Sequence, residues 1–211
     1  MSAPNQTVES VREYTPLDDQ PIHGVTFDGT LVWFARTGEV VAFDPEAEKV
    51  VHRYRIPDVG AGTAFDGEYL YQLASTSILV IRPADGQVVR KLPAPGDGPL
   101  SGMAWADGHL WIGQGHDPKI HKVDAKTGEV VKTLRSDRFV TGVSCFEGEL
   151  WHGASYDGKP TELRRLASDG TVEEVLTVPV EGISGVERTR EGFWCGGQNG
   201  KLRFVRPKRK G

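Results

Sequence analysis

Short runs in which apolar and polar residues alternate follow one another along the chain, each closed by a turn signal. In Ile120-His121-Lys122-Val123-Asp124 the alternation is clear, and Ala125-Lys126-Thr127-Gly128 turns it into the next run, Glu129-Val130-Val131-Lys132-Thr133-Leu134. A period of two places alternate side chains on opposite faces of an extended backbone, so these runs predict β-strands joined by hairpins. Two further strands precede them. A short apolar run after a glycine leads into an acidic-glycine pair, at Asp28-Gly29, Asp66-Gly67, Asp107-Gly108, Glu147-Gly148 and Glu191-Gly192. Such pairs suit the positive φ of a tight hairpin. The strand beyond each pair ends in an aromatic residue, as in Leu31-Val32-Trp33 and Tyr69-Leu70-Tyr71. The last run of the series is flanked by charge, as expected of an outer strand with one exposed side. Little of the chain has helical periodicity.

This order recurs at a fixed spacing. Gly24, Gly62, Gly102, Gly142 and Gly185 are followed nine residues later by Trp33, Tyr71, Trp111, Trp151 and Trp194, and the copies start 38, 40, 40 and 43 residues apart. A period near forty built of four short strands predicts a β-propeller with one blade per copy. The expected fold is all-β: a single five-bladed propeller domain over residues 1–211, with four antiparallel strands per blade and blades at about 21–56, 57–92, 93–134, 135–178 and 179–206. The fifth copy stops after its third strand, Lys201–Arg206, while Thr7–Tyr14 is a strand without a blade. Pairing the two closes the last blade and leaves no open edge, with Glu9 and Glu13 near Arg203 and Arg206.

Composition narrows the function classes. A net charge of −4 argues against a general nucleic-acid binder, and the basic stretch Arg206-Pro207-Lys208-Arg209-Lys210 lacks interleaved stacking aromatics. Met1–Gln6 carries neither a basic leader nor an apolar stretch, and no segment approaches membrane-spanning length, so a cytoplasmic monomer is expected. Cys145 and Cys195 are too few for a disulfide framework and wrongly spaced for zinc; they read as small packed side chains. No cofactor or metal is expected.

Propeller topology turns the repeat into a map. The innermost strand begins, and the second strand ends, at the same mouth of the central channel, with the acidic-glycine hairpins at the opposite rim. Ligand groups are therefore expected just before the repeated glycine and just after the repeated aromatic. His23, Ala61, Ser101, Thr141 and Ser184 stand immediately before the glycines, and the stretches after the aromatics differ from blade to blade. Divergence at one rim on a constant frame is what a specialised site produces. The map selects His23, Arg36, Ser101, Gln114, Thr141, Tyr156, Ser184 and Asn199 as ligand-binding residues for a small molecule or peptide. His116 and His152 are the candidate general bases, with Asp117 or Asp157 as orienting carboxylates and Arg36 as the cation for a substrate carboxylate. His52, His109 and His121 fall on positions expected to face solvent. No Gly-x-Ser-x-Gly elbow, phosphate-binding glycine loop or His-Glu-x-x-His pair is present.

Phe27–Trp33 (Phe-Asp-Gly-x-Leu-Val-Trp), Trp105–Gly113 and Val123–Val131 resemble the repeats of glutamine cyclotransferase-like propellers, and the ending from Ile183 to Arg203 is similar to the last blade of short bacterial proteins of that group. The resemblance covers the chain from Gly24 onward. It implies a five-bladed propeller that converts N-terminal glutaminyl residues to pyroglutamyl, an acyl transfer by cyclisation, with acidic groups in the channel. Ile22-His23-Gly24-Val25 departs from the family's first-blade stretch, which has Glu beside Gly. Virginiamycin B lyase and quinoprotein-like propellers have similar strand phrases, and a lyase of that type implies His and Glu with a divalent metal. A non-catalytic propeller that binds a small molecule or a partner is the alternative from a different class.

Overall fold

The computed structural model describes residues 3–96, 98–156 and 159–208, apart from the side chains of Tyr156 and Lys159. After β1 (Asn5–Tyr14), three antiparallel four-stranded sheets follow in chain order. The first is β2 (Gly24–Phe27), β3 (Val32–Arg36), β4 (Glu39–Asp44) and β5 (Lys49–Arg55); the second is β6 (Val59–Phe65), β7 (Leu70–Ala74), β8 (Ser77–Ile81) and β9 (Val88–Pro93). The third is β10 (Leu100–Ala106), β11 (His109–Gln114), β12 (Lys119–Asp124) and β13 (Val130–Arg135). The remaining strands are β14 (Phe139–Phe146), β15 (Glu149–Tyr156), β16 (Lys159–Leu166), β17 (Val172–Thr177), β18 (Ile183–Arg188), β19 (Phe193–Gly197) and β20 (Leu202–Pro207). With β1 they form one eight-stranded sheet of order β14-β15-β16-β17-β1-β20-β19-β18.

β1 is the joint of that sheet. From Val8 to Tyr14 it runs antiparallel to β20, with Val8 opposite Pro207 and Tyr14 opposite Leu202. Glu9 meets Arg206 at 2.9 Å and Glu13 meets Arg203 at 2.7 Å. The expected pairing with the last strand is therefore present. The first residues of β1 add something the periodicity did not suggest: Asn5–Thr7 lie parallel to Val175–Thr177 of β17.

The inner strands contact one another in a closed cycle, β2 to β6, β6 to β10, β10 to β14, β14 to β18 and β18 back to β2. The repeated glycines make that approach physically possible. A β-carbon on Gly62 would lie 2.4 Å from the Met103 amide nitrogen, and one on Gly102 would lie 2.2 Å from that of Val143, so no side chain fits between these backbones. The aromatic residues fill the space farther out. Trp33, Tyr71, Trp151 and Trp194 are buried between neighbouring layers, Trp33 among Leu70, Leu79 and Ile81, and Tyr71 among Met103, Leu110 and Ile112. Truncating such a ring to alanine costs about 3–5 kcal/mol. Their polar ends are satisfied by the turns: Trp33 Nε1 donates to Asp28 Oδ2 at 2.7 Å, and Tyr71 Oη donates to Asp66 Oδ2 at 3.0 Å.

The hairpins follow the expected turn chemistry with one correction. Gly29, Gly67, Gly108 and Gly148 all have positive φ, whereas Gly192 does not. Glycine is needed at 192 for space instead, because a β-carbon there would lie 2.3 Å from the Val205 carbonyl oxygen. Of the two free thiols, Cys195 is buried and Cys145 partly so. Burial pushes Cys195 up to about 12 and raises Cys145 further, which keeps both protonated and slow to react.

Candidate functional site

The starts of the inner strands converge on a cleft of about 250 Å³ at the expected mouth. His23, Ser101, Thr141 and Ser184, four of the selected residues, line it, together with Ala61 from the same register. The inner-strand cycle brings them together, since each stands one residue ahead of a glycine that packs on its neighbour. His23 is held by its backbone, whose amide donates to the Ala35 carbonyl at 2.9 Å. Its ring is partly buried, and the loss of water lowers its pKa, so the imidazole is uncharged at neutral pH. Ser184 Oγ donates to the Ile22 carbonyl. The hydroxyl oxygens of Ser101 and Thr141 are buried and make no hydrogen bond among the described residues. Each is tucked against a glycine of the following strand, Ser101 over Gly113 and Thr141 over Gly153. The cleft thus offers one neutral imidazole, while the oxygens of these two hydroxyls have no open surface and are packed over their glycines.

The other selected residues lie outside the lining. Arg36 is only 4% exposed, and its Nη2 is bound to Asp18 Oδ1 at 2.5 Å, so it is not open to a substrate carboxylate. Gln114 is buried: Nε2 donates to the His116 carbonyl at 3.1 Å, and Oε1 lies 3.3 Å from His121 Nε2. Of the two candidate bases, His116 is exposed, with its ring edge-on to Phe139 at 5.4 Å. His152 is fully buried, with Nδ1 3.1 Å from the Gly153 carbonyl and Nε2 without a partner among the described residues. Desolvation lowers His152 to about 4. A residue without exposed surface cannot meet a ligand in the cleft. Asn199 is exposed and turns its Oδ1 towards Arg203 Nη1 and the Lys201 amide, both at 3.4 Å. Asp117 is ion-paired with Lys119 and with Arg135, the latter at 3.6 Å. The Tyr156 side chain, Asp157, Arg209 and Lys210 lie outside the described residues.

His121 is a further correction. Expected to face solvent, it is 7% exposed, with Nδ1 2.9 Å from Thr133 Oγ1. His109 is partly exposed at its hairpin, and His52 stacks on Trp33 at 5.9 Å. Phe139, Leu100 and Ile183 line the cleft without having been selected. They stand two or three residues ahead of the repeated glycines, one or two steps beyond the pre-glycine position. Phe139 is 40% exposed and gives the cleft an open aromatic face. Ser155 and Gln198, which also line it, fall in the variable stretches after the aromatics.

Among the described residues, no group of three or more His, Cys, Asp or Glu is placed to share a metal ion, and no helix is long and apolar enough to cross a membrane. Neither a protein-family model nor a curated protein matches the chain. Among solved structures it is similar to glutaminyl cyclase from Myxococcus xanthus, with a TM-score of 0.81 at 18% identity over 97% of this chain and 98% of that one. The fold is a β-propeller. The WD40 propeller domain of Doa1 is also similar, with a TM-score of 0.57 at 14% identity over 96% of this chain and 98% of that one. Hydrazine synthase from Kuenenia stuttgartiensis gives 0.56 at 16% identity, over 85% of this chain and 57% of that one. At these identities the likeness is one of architecture.

Proposed function

We propose that this chain is a monomeric, five-bladed, glutamine cyclotransferase-like propeller that binds a small neutral polar molecule or a peptide end in the mouth cleft. The observation that carries the reading is the convergence of the pre-glycine residues of all the inner strands on one cleft, with the uncharged His23 imidazole among them. Phe139 and Leu100 give the same ligand an apolar face. The closed cycle of inner strands supports the blade count.

Binding without turnover is the reading we favour, because neither His116 nor His152 lines the cleft. Cyclisation is the second reading, favoured by His23 alone: a partly buried, uncharged imidazole can take a proton from an attacking amine and pass it to departing ammonia. Ligand-observed NMR with a glutaminyl dipeptide amide, followed by assay for the pyroglutamyl product, separates the two. Saturation transfer lost in Phe139→Ala, with no product, supports the binding module. Product formation that falls roughly a hundredfold in His23→Ala supports the enzyme. Should neither the dipeptide nor a panel of neutral polyols and amides bind, the mouth reading fails.

A further inference from the structure

The opposite rim, where the acidic-glycine hairpins turn, holds a larger cavity of about 1040 Å³ between β1, the β2–β3 and β14–β15 turns and the β18–β19 hairpin. Its wall is aromatic. Phe27 and Phe204 flank Trp194 with ring centroids 6.2 and 5.0 Å away, and Phe146 stands across from them; all but Trp194 keep part of their surface open.

Most charges around this cavity are already matched. Arg12 pairs with Glu46 at 2.6 Å, Arg190 with Glu147 at 2.5 Å and Arg206 with Glu9 at 2.9 Å. Asp28 and Asp44 accept backbone amides of their own turns. Arg188 lies over the rings of Phe146 and Phe193, 5.7 and 4.9 Å from their centroids, and donates to the carbonyls of Thr189 and Gly192. Glu191 is exposed at the hairpin tip. Glu187, at the end of β18, is different. Its Oε2 accepts from Ser144 Oγ at 3.2 Å, its one side-chain partner among the described residues, and no cation is paired with it there. Loss of water around the carboxyl pushes it up to about 8.

We propose that this hairpin-rim cavity binds a small organic cation, a protonated amine on an apolar arm, with Glu187 as its counter-ion and Phe27, Phe146 and Phe204 holding the arm. An ammonium group supplies the missing charge and N–H donors at the carboxyl, and the faces of the surrounding rings attract cations. Arg12, Arg190 and Arg206 are each paired with a carboxylate, whereas Glu187 has no cation beside it among the described residues. Binding is a proton exchange: the carboxyl O–H proton passes to solvent as the ammonium takes its place, so the buried charge stays balanced. The proposal is independent of the mouth cleft.

Isothermal titration calorimetry on the full chain with phenethylamine, and with 2-phenylethanol as the uncharged counterpart, tests it. At about pH 6.5 the amine is expected to bind with release of about one proton, read from the dependence of the heat on buffer ionisation. The alcohol is expected to bind far more weakly. Glu187→Gln should weaken the amine roughly ten- to hundredfold and abolish proton release. No amine binding at low-millimolar concentration, equal binding of the alcohol, or an unchanged affinity in Glu187→Gln overturns the proposal. If that variant does not fold, amine binding to the wild-type protein without proton release overturns it equally.

Discussion

At the mouth, the residues ahead of the repeated glycines are an imidazole, a methyl group and three hydroxyls, and the cleft they form is small. At the hairpin rim β1 and the first, fourth and fifth copies present carboxylates and arginines around a cavity about four times larger. The difference follows from what each end must do for the fold. Hairpins need acidic residues for their turns, and Asp28, Asp44, Asp66 and Asp124 each accept amides two or three residues on. Those carboxylates are structural wherever the turn recurs. The strand ends at the mouth have no such duty and are free to differ. A charged group therefore carries information at the hairpin rim only where the turn does not use it, as at Glu187, and a polar group carries it at the mouth only where it faces the cleft, as at His23.

The most severe test of this contrast removes the frame common to both rims. Deleting residues 1–14 takes away β1, exposes the edge of β20, and strips Val8 and Tyr14 from the layers they fill. Loss of cooperative unfolding, or aggregation, is expected by calorimetry and light scattering; an unchanged melting curve would show that the last sheet closes without β1.

A second test sets two desolvated titratable groups, the buried His152 and the half-buried Glu187, against each other. His152 is lowered from 6.5 to about 4, so the unfolded chain takes up the proton first as pH falls. Stability should then drop between about pH 6.5 and 4, by on the order of 3 kcal/mol. Glu187 is raised from 4.5 to about 8, so the folded state keeps its proton longer as pH rises, and stability falls over that interval. Urea midpoints measured across pH should lose their acid limb in His152→Leu and their alkaline limb in Glu187→Gln. Parallel profiles for wild type and both variants would show that neither group is desolvated.

The smallest expected effect compares two ion pairs of β1. Arg206 stands towards the hairpin rim with its side chain 42% exposed, whereas Arg203, towards the mouth, is 6% exposed. Arg206→Ala should cost less than about 0.5 kcal/mol and Arg203→Ala several times more. Equal losses in melting temperature would erase the distinction.

The scaffold was legible because its causes are local and repeated. Glycine where backbones touch, an aromatic nine residues later and an acidic-glycine turn between them recur whatever the neighbouring loops do. The site was legible only in part. Positions one before each glycine line one cleft, since inner-strand packing fixes them. Positions after the aromatics were not, because both faces of a second strand are buried between layers, so alternation does not say which residue reaches the mouth. His152 shows this: one residue beyond Trp151, it turns into the layer instead of the cleft. Arg36 was lost to Asp18, which sits in a stretch outside the repeat, and His121 to Gln114 and Thr133 on adjacent strands. Glu187 carried no signal, because a single glutamate at a strand end looks like any solvated charge.

The split allegiance of β1 has a kinetic meaning. The strand that precedes all the others in the chain finds its partners in β17 and β20, about 170 to 200 residues away. While the intervening sheets form from neighbouring hairpins, β1 must wait unpaired, and the edges of β17 and β20 wait with it. Closure is then the slowest step and the interval of greatest exposure to other chains. Val8 lies opposite Pro207, and the Lys208 amide donates to the Thr7 carbonyl at 3.3 Å, so β20 and β1 are arranged as a hairpin that lacks only its turn. A circular permutant that supplies this turn would make the last step of folding as local as the first.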